Sequence, residues 1–403
     1  MHADRARDEA RRADRELTDG VDRGPLHGIP VSIKDLIDEA GVVTTAGSTV
    51  LDDRVPGEDA TVVRRLREAG AIIIGRTNLQ QFAFGTTSDD SSFGPVRHPE
   101  DPERSSGGSS GGAAAAVVTG MGLAALGTDT GGSVRIPAAA CGLVGLKPGA
   151  GEVPNDGVIP LSVTLDHVGP LVRSVQDAGW VCDVLAGRTP DRVVPRPVDT
   201  LRFMRLTGYF EHPLDPGVRG AYEAALGRLT SAGASLAPRE LPATSGIAPG
   251  YDHIALPEAV VWHAPYLEAR ADRYSPTIRM RILQGRAVSA VQYLEALAAA
   301  AALRHEVDAL LEDADALLTP TLPIVAPPLG AIDVVVVPTI GTAMPARGLM
   351  LKHTQLFNLT GHPAITIPVP SGGLPVGLQL VGRRGGTAGL LAIAAACEGV
   401  LRA

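Results

Sequence analysis

Along Ile29-Pro30-Val31-Ser32-Ile33-Lys34 the apolar residues recur at every second position, the period of a half-buried strand. That period places Lys34 at the strand end, on the face opposite Ile29, Val31 and Ile33. Upstream, residues 3–17 predict a polar helix of Ala, Arg, Asp and Glu, then a turn at Gly24-Pro25-Leu26-His27-Gly28. Residues 59–69 predict a helix. The unbroken apolar run Ala71-Ile72-Ile73-Ile74-Gly75 predicts a central strand buried on both faces. Residues 79–86 predict another helical segment and 88–112 a loop of Ser, Gly, Pro and charge. A buried helix over 113–126 and a glycine-rich loop over 127–132 follow.

Further on, Leu143-Val144-Gly145-Leu146 reads as a strand and Val175 to Leu185 as a helix. Residues 188–250 carry Pro-rich turns and a helix near 218–232. A long helix is predicted over 287–311, with Leu294, Leu297, Leu303 and Leu310 among its apolar positions. Strands at 364–368 and 377–381 precede a closing helix from Thr387. Alternating strands and helices predict an α/β fold around a largely parallel or mixed central sheet. No internal repeat and no long linker divides the chain, so one domain over 1–403 is expected.

Composition narrows the function. Net charge is −8 with no long basic run, which argues against a nucleic-acid platform and for a small or neutral substrate. Cys141, Cys182 and Cys397 are odd in number and widely spaced. They match neither a disulfide framework nor a zinc site, which suits a reducing cytoplasm. Met1 to Leu17 lacks an apolar signal core. The most apolar stretch, 113–127, is too short to span a bilayer.

Two loops carry the candidate chemistry. Gly107-Gly108-Ser109-Ser110-Gly111-Gly112 is followed, across one apolar stretch, by Asp129-Thr130-Gly131-Gly132-Ser133-Val134-Arg135. Glycines there allow close backbone approach, and successive N–H groups can form a nest for an anion. Neither loop has the Lys-Ser/Thr pair of a phosphate-binding loop, nor dinucleotide spacing. Gly107-x-Ser109-x-Gly111 formally matches a nucleophile elbow, which requires a strand before it. Two plain surface loops are the alternative. A serine hydrolase with backbone donors at Gly131 to Ser133 is the remaining reading, and its serine needs a base. No His forms a recognisable triad pattern; Asp166-His167 is adjacent only in sequence. Lys34, if buried, can lose its proton at neutral pH. Otherwise it is a surface Lys paired with Asp35.

Together these segments resemble the amidase signature family. The matching motifs are Gly28 to Asp35, the Gly-Ser loop at 107–112, and Asp129 to Pro137 continuing to Pro148. Asp166 to Leu171 and Asn358 to Gly382 complete the set, in the family's order. The resemblance runs from about residue 20 to the end and is weakest in 188–330, a more variable substrate-side region. It implies a mixed, largely parallel sheet covered by helices on both faces. It implies Ser133 as acyl-forming nucleophile, Ser109 after a cis peptide bond as proton relay, and Lys34 as base. The backbone of Thr130, Gly131, Gly132 and Ser133 would form the oxyanion hole, with Ser110, Asp129 and Arg135 holding the loops. No cofactor and no metal is implied.

Three departures stand out. About 27 residues precede the Lys motif, fewer than usual, so shortened N-terminal helices are expected. His98 stands where Asn is commoner. Gly149-Ala150-Gly151-Glu152 replaces a Thr-x-Gly-Arg stretch near expected substrate contacts. The resemblance implies an amidase acting on a small-molecule amide, without membrane or direct nucleic-acid contact, and admits a homodimer. The alternatives are the glutaminase component of a tRNA-dependent amidotransferase, or a catalytically silent homologue.

Overall fold

The computed structural model describes residues 3–335 and 343–402. Its strands are β1 (Pro30–Lys34), β2 (Ile72–Thr77), β3 (Ala124–Thr128), β4 (Val144–Lys147), β5 (Val168–Val172) and β6 (Arg202–Leu206). They continue with β7 (Ser235–Arg239), β8 (Ala316–Pro320), β9 (Asp333–Val335), β10 (Ala343–Pro345), β11 (Ala364–Val369) and β12 (Val376–Val381). Ten of them form one sheet in the order β2-β1-β3-β5-β4-β11-β12-β8-β6-β7, while β9 and β10 pair separately. The sheet is mixed. β2, β1 and β3 run parallel, as do β8, β6 and β7. The pairings that join those two groups are antiparallel.

The two-residue period of each strand sorts its side chains between two apolar cores. Val31, Ile33, Leu126, Leu146, Ile365, Ile367, Leu378 and Leu380 meet the helices Val175–Ala186, Pro216–Ser231 and Thr387–Arg402 on one face. The other core is built by Ala113, Val117, Ile136, Ile254, Leu303 and Phe357 from helices on the opposite side. Full burial of each such aliphatic side chain is worth about 1.5–3 kcal/mol, which holds the register firmly. The same period turns Lys34, Thr366 and Gln379 away from the first core. These buried polar side chains sit where the second face meets the site.

Several expectations are corrected. The strand at β1 is buried on both faces, not half-buried. The apolar run at 72–77 is an edge strand, not a central one; the helix Ala3–Thr18 packs beside it. Residues 113–126 are not one helix. The helix ends at Val118, Gly120 turns the chain at φ +76°, and β3 begins at Ala124. An Ala-rich run has no periodicity to mark that break. Residues 79–86 form only one short 3₁₀ turn, with Phe82 and Ala83 at φ +51° and +59°. Phe82 stacks on Tyr274 at 5.3 Å between ring centroids, and this tertiary contact overrides helix propensity. Strands β6 and β7 and the helix Ile247–Ala269 were not anticipated in the 188–330 region. That helix holds Pro257 and Pro265 internally, where a breaker is expected.

The long helix is Ala290–Glu312, opened by a capping box of Ser289 and Gln292. Its buried face is Ala296, Ala300, Leu303, Val307 and Leu311, while Leu294 is exposed. Among the described residues no helix is long and apolar enough to cross a membrane.

Candidate active site

Lys34 ends β1 with no exposed surface. Its Nζ lies 2.8 Å from Ser109 Oγ and 2.7 Å from Thr128 Oγ1. Asp35 is not its partner, because that carboxylate is taken by Arg76 Nε at 2.5 Å. Burial pushes the Lys34 ammonium down to about 7, while the charges of Asp166 and Asp129 pull it back up. Among the described residues this buried lysine has no salt bridge, and burial leaves its ammonium easy to deprotonate near neutral pH.

Ser109 follows a cis peptide bond from Gly108. The loop is tied down on all sides. Ser88 Oγ donates to the Ser109 carbonyl at 3.1 Å and accepts from Gly111 N at 3.1 Å. Ser110 Oγ donates to Thr128 O at 3.2 Å and accepts from Thr128 N at 3.3 Å. Ser110 N also donates to the Ser133 carbonyl at 3.3 Å, which docks the first loop on the second. A Cβ on Gly108 or Gly111 would fall within 2.8 Å of Ser88, so this packing requires glycine at both. Residues 99–106 form turns and isolated bridges, with no strand leading into Ser109. The nucleophile-elbow reading fails on that ground.

The second loop is organised by Asp129. Its carboxylate accepts from Arg135 Nη2 at 2.8 Å, Arg135 Nε at 3.0 Å, Val134 N at 3.2 Å and Asn358 Nδ2 at 2.9 Å. Burial acts to raise the Asp129 carboxyl, but the guanidinium of Arg135 wins and holds it below the usual carboxylate range. Arg135 is itself fully buried. Its remaining donors reach Asn358 Oδ1 at 2.7 Å, Gln379 Oε1 at 2.8 Å and Thr354 O at 3.0 Å. A buried charge pair is tolerated when its hydrogen bonds are this complete.

Between Asp129 and Val134 the backbone is held open. Thr354 Oγ1 donates to Gly131 O at 2.6 Å, and Thr130 Oγ1 donates to Asp166 Oδ1 at 2.5 Å. Among the described residues, the N–H groups of Thr130, Gly131, Gly132 and Ser133 donate to no protein acceptor. Four consecutive unpaired N–H groups are the kind of backbone donor run that can accept an anion. Ser133 Oγ likewise makes no hydrogen bond among the described residues, and Ser133 lines a small cleft of about 20 Å³, open to solvent. The structure thus joins Lys34 to Ser109 directly and docks Ser133 beside them through backbone, without a Ser109–Ser133 side-chain bond.

The sequence reading missed Asp166, Ser88, Thr354, Asn358 and Gln379 as loop-holding groups. Asp166 and Asn358 open two of the matching motifs and Gln379 lies within the second, but residue type alone gives none of them a loop-holding role. Burial raises the Asp166 carboxyl to about 6, against hydrogen bonds from Thr130, Ser162 and Leu161. His98 is buried, with Nδ1 accepting from Glu100 N and Asp101 N at 3.2 and 3.3 Å, so it caps a turn. Residues 149–152 do not reach the cavity: Ala150 N donates to Gly361 O, and Glu152 accepts from Thr387 Oγ1.

At one end of the mixed sheet the fold thus collects Ser133, Ser109, the buried Lys34 and a run of backbone donors with no acceptor among the described residues. A family model described as Amidase matches residues 1–391. The chain belongs to the amidase signature family and is an enzyme of carbon–nitrogen amide bonds. It is 36% identical to a glutamyl-tRNA(Gln) amidotransferase component from Koribacter versatilis, over 100% of this chain and 90% of that protein. A solved amidase structure matches at TM-score 0.92 and 40% identity, covering 98% of this chain and 90% of the other. The peptide amidase of Stenotrophomonas maltophilia matches at TM-score 0.84 and 32% identity, covering 99% and 88%.

Proposed function

We propose that the protein hydrolyses a small carboxylic amide to a carboxylate and ammonia or an amine, through an acyl-enzyme on Ser133. The observation that carries this is the 2.8 Å contact of a fully buried Lys34 Nζ with Ser109 Oγ, beside the Ser133 loop. Ser133 Oγ attacks the amide carbon. Its proton passes to Ser109 Oγ as the Ser109 proton passes to the lone pair of neutral Lys34. Charge on the carbonyl oxygen is taken by the free N–H groups from Thr130 to Ser133. The C–N bond then breaks, and the proton returns from Lys34 through Ser109 to the departing nitrogen. Water repeats the sequence in reverse to release the acid. The Ser133–Ser109 link tightens when substrate fills the cavity, as catalytic hydrogen bonds commonly do. Ser110, Asp129 and Arg135 keep both loops in register.

Fluorophosphonate labelling with peptide mapping tests this reading. The adduct is expected on Ser133, absent in Ser133→Ala and greatly slowed in Lys34→Ala. An adduct on Ser109 that forms equally fast in Lys34→Ala sinks it.

A second reading is a glutaminase component working in a tRNA-dependent amidotransferase. It is supported by the similarity, across the whole chain, to the Koribacter versatilis amidotransferase component. Ammonia release from glutamine that requires co-purifying partner proteins is its signature.

A further inference from the structure

A buried polar atom without a partner either costs a fold stability or is held for a ligand. Of the buried side-chain atoms that make no hydrogen bond among the described residues, Thr86 Oγ1 alone belongs to a residue lining the Ser133 cleft. Thr86 is only 3% exposed. It also lines a second cavity, of about 400 Å³, which shares Gly85 and Arg347 with the cleft.

The neighbouring hydroxyls are committed. Thr87 Oγ1 donates to Asp89 Oδ1 at 2.6 Å, Ser105 Oγ to Thr87 O at 2.6 Å, and Ser88 Oγ to Ser109 O at 3.1 Å. Gln80 N also donates to Ser109 O, at 3.2 Å, so the 80–88 segment is fastened to the loop that carries Ser109. The packing is close: a Cβ on Gly108 would lie 2.9 Å from the Thr86 carbonyl carbon. Thr86 therefore stands on the Ser109 side of the cleft, while the unpaired N–H groups of Thr130 to Ser133 belong to the other loop.

We infer that Thr86 Oγ1 accepts the N–H of the scissile amide and turns that nitrogen toward Ser109, so that the enzyme takes primary and N-monosubstituted amides. This rests on the assignment of Ser133 as nucleophile. With the carbonyl oxygen at the donor run and its carbon at Ser133, the nitrogen falls toward Ser109, which hands it a proton. A planar amide nitrogen has no lone pair free to take that proton. One develops only as the C–N bond weakens and the nitrogen becomes pyramidal, and it must point at Ser109 Oγ. An acceptor on the N–H fixes that rotation, and such orientation lowers the barrier to the transfer. The orphaned hydroxyl gains its partner only in the occupied site. An ester has no N–H to offer and gains nothing from Thr86.

The test compares 4-nitroacetanilide with 4-nitrophenyl acetate, which share acyl and aryl groups and differ in N–H against O. The cavity of about 400 Å³ beside Thr86 has room for the aryl group. The readout is the ratio of kcat/KM values, anilide over ester, in the wild type, Thr86→Val and Thr86→Ser. Thr86→Val, which keeps the side chain's shape without its hydroxyl, is expected to lower the ratio about three- to tenfold, the worth of one neutral hydrogen bond. Thr86→Ser is expected to restore most of it. Because the hydroxyl has no partner in the free enzyme, Thr86→Val is also expected to melt no lower than the wild type. A ratio unmoved in Thr86→Val, one that Thr86→Ser fails to restore, or a clear drop in the Tm of Thr86→Val overturns the inference. So does a wild type that cleaves the ester but not the anilide. Loss in the wild type of Ser133 labelling by fluorophosphonate, or of turnover on both compounds, overturns instead the catalytic assignment beneath it.

Discussion

Thr130 Oγ1 donates a 2.5 Å hydrogen bond to Asp166 Oδ1, and the other oxygen of that carboxylate accepts Leu161 N and Ser162 N at 2.9 and 3.1 Å. One buried carboxylate therefore ties the first residue of the free-donor stretch to the loop that carries Leu161 into the cavity. The same loop is clamped from the far side by Glu258, which accepts from Thr164 N at 3.0 Å and from Tyr293 OH at 2.8 Å. The geometry of the donor nest thus depends on a residue that touches neither Ser133 nor Ser109.

Replacing Asp166 by Asn is expected to act in two ways. Weakening a charge-assisted bond to Thr130 lowers kcat, by about tenfold for a loss near 1.4 kcal/mol. Removing a negative charge that raises Lys34 also moves the acid limb of the kcat/KM profile to lower pH. A pH-rate profile of the variant checks both; an acid limb that stays put or moves up contradicts the coupling.

Lys34 is needed as the free amine, so kcat/KM should fall as pH drops below about 7. Lys34→Met should cost about a hundredfold to ten-thousandfold in kcat, the range for a lost general base. It should also stabilise the fold. A lysine whose folded value is depressed from 10.5 to about 7 penalises folding fully below about pH 7, and the penalty fades as pH rises toward 10.5. The rise in Tm of Lys34→Met is therefore expected to be larger at pH 6 than at pH 9. Thermal melts at the two values decide it.

Arg135→Met leaves Asp129 charged, buried and short of its main partner. Breaking a buried pair from one side costs about 3–5 kcal/mol, so urea unfolding should show a loss of that order. Arg135→Lys should recover little of it, because one ammonium cannot serve the partners now held by a planar fork.

Gly132 sits at φ +136°, and a Cβ there would lie 2.2 Å from Thr354 Oγ1. Gly132→Ala is expected to lower stability by about 1–3 kcal/mol and to reduce the rate of Ser133 labelling. Adding Thr354→Ala removes the contact with Oγ1 but leaves the residue's Cβ at 2.7 Å, Ile136 Cδ1 at 2.9 Å and the unfavourable φ. It also removes the bond to Gly131 O, so labelling should not recover.

Local pattern was enough for elements whose apolar period is regular. The helices Thr61–Glu68 and Pro216–Ser231, the paired strands β11 and β12, and the closing helix all fall where hydrophobic periodicity placed them. It failed where apolar residues ran on without a period, as across the break between Val118 and Ala124. It also failed where a long-range contact overrode propensity, as at Phe82. The edge position of β2 depends on strand order, which no local run of Ile residues encodes.

The candidate site divides in the same way. The order of residue types in 28–35, 107–112, 129–148, 166–171 and 358–382 was sufficient by itself to identify the family, and with it to put forward Lys34, Ser109 and Ser133 as the reacting residues. Only tertiary structure decided that Lys34 loses its water and its salt-bridge partner, because desolvation is a property of what packs around a residue. Tertiary structure alone also supplied Asn358, Gln379 and Thr354 to Arg135, from more than two hundred residues downstream. The free donors from Thr130 to Ser133 belong to that second group. An N–H is unpaired only because the rest of the fold brings no acceptor to it.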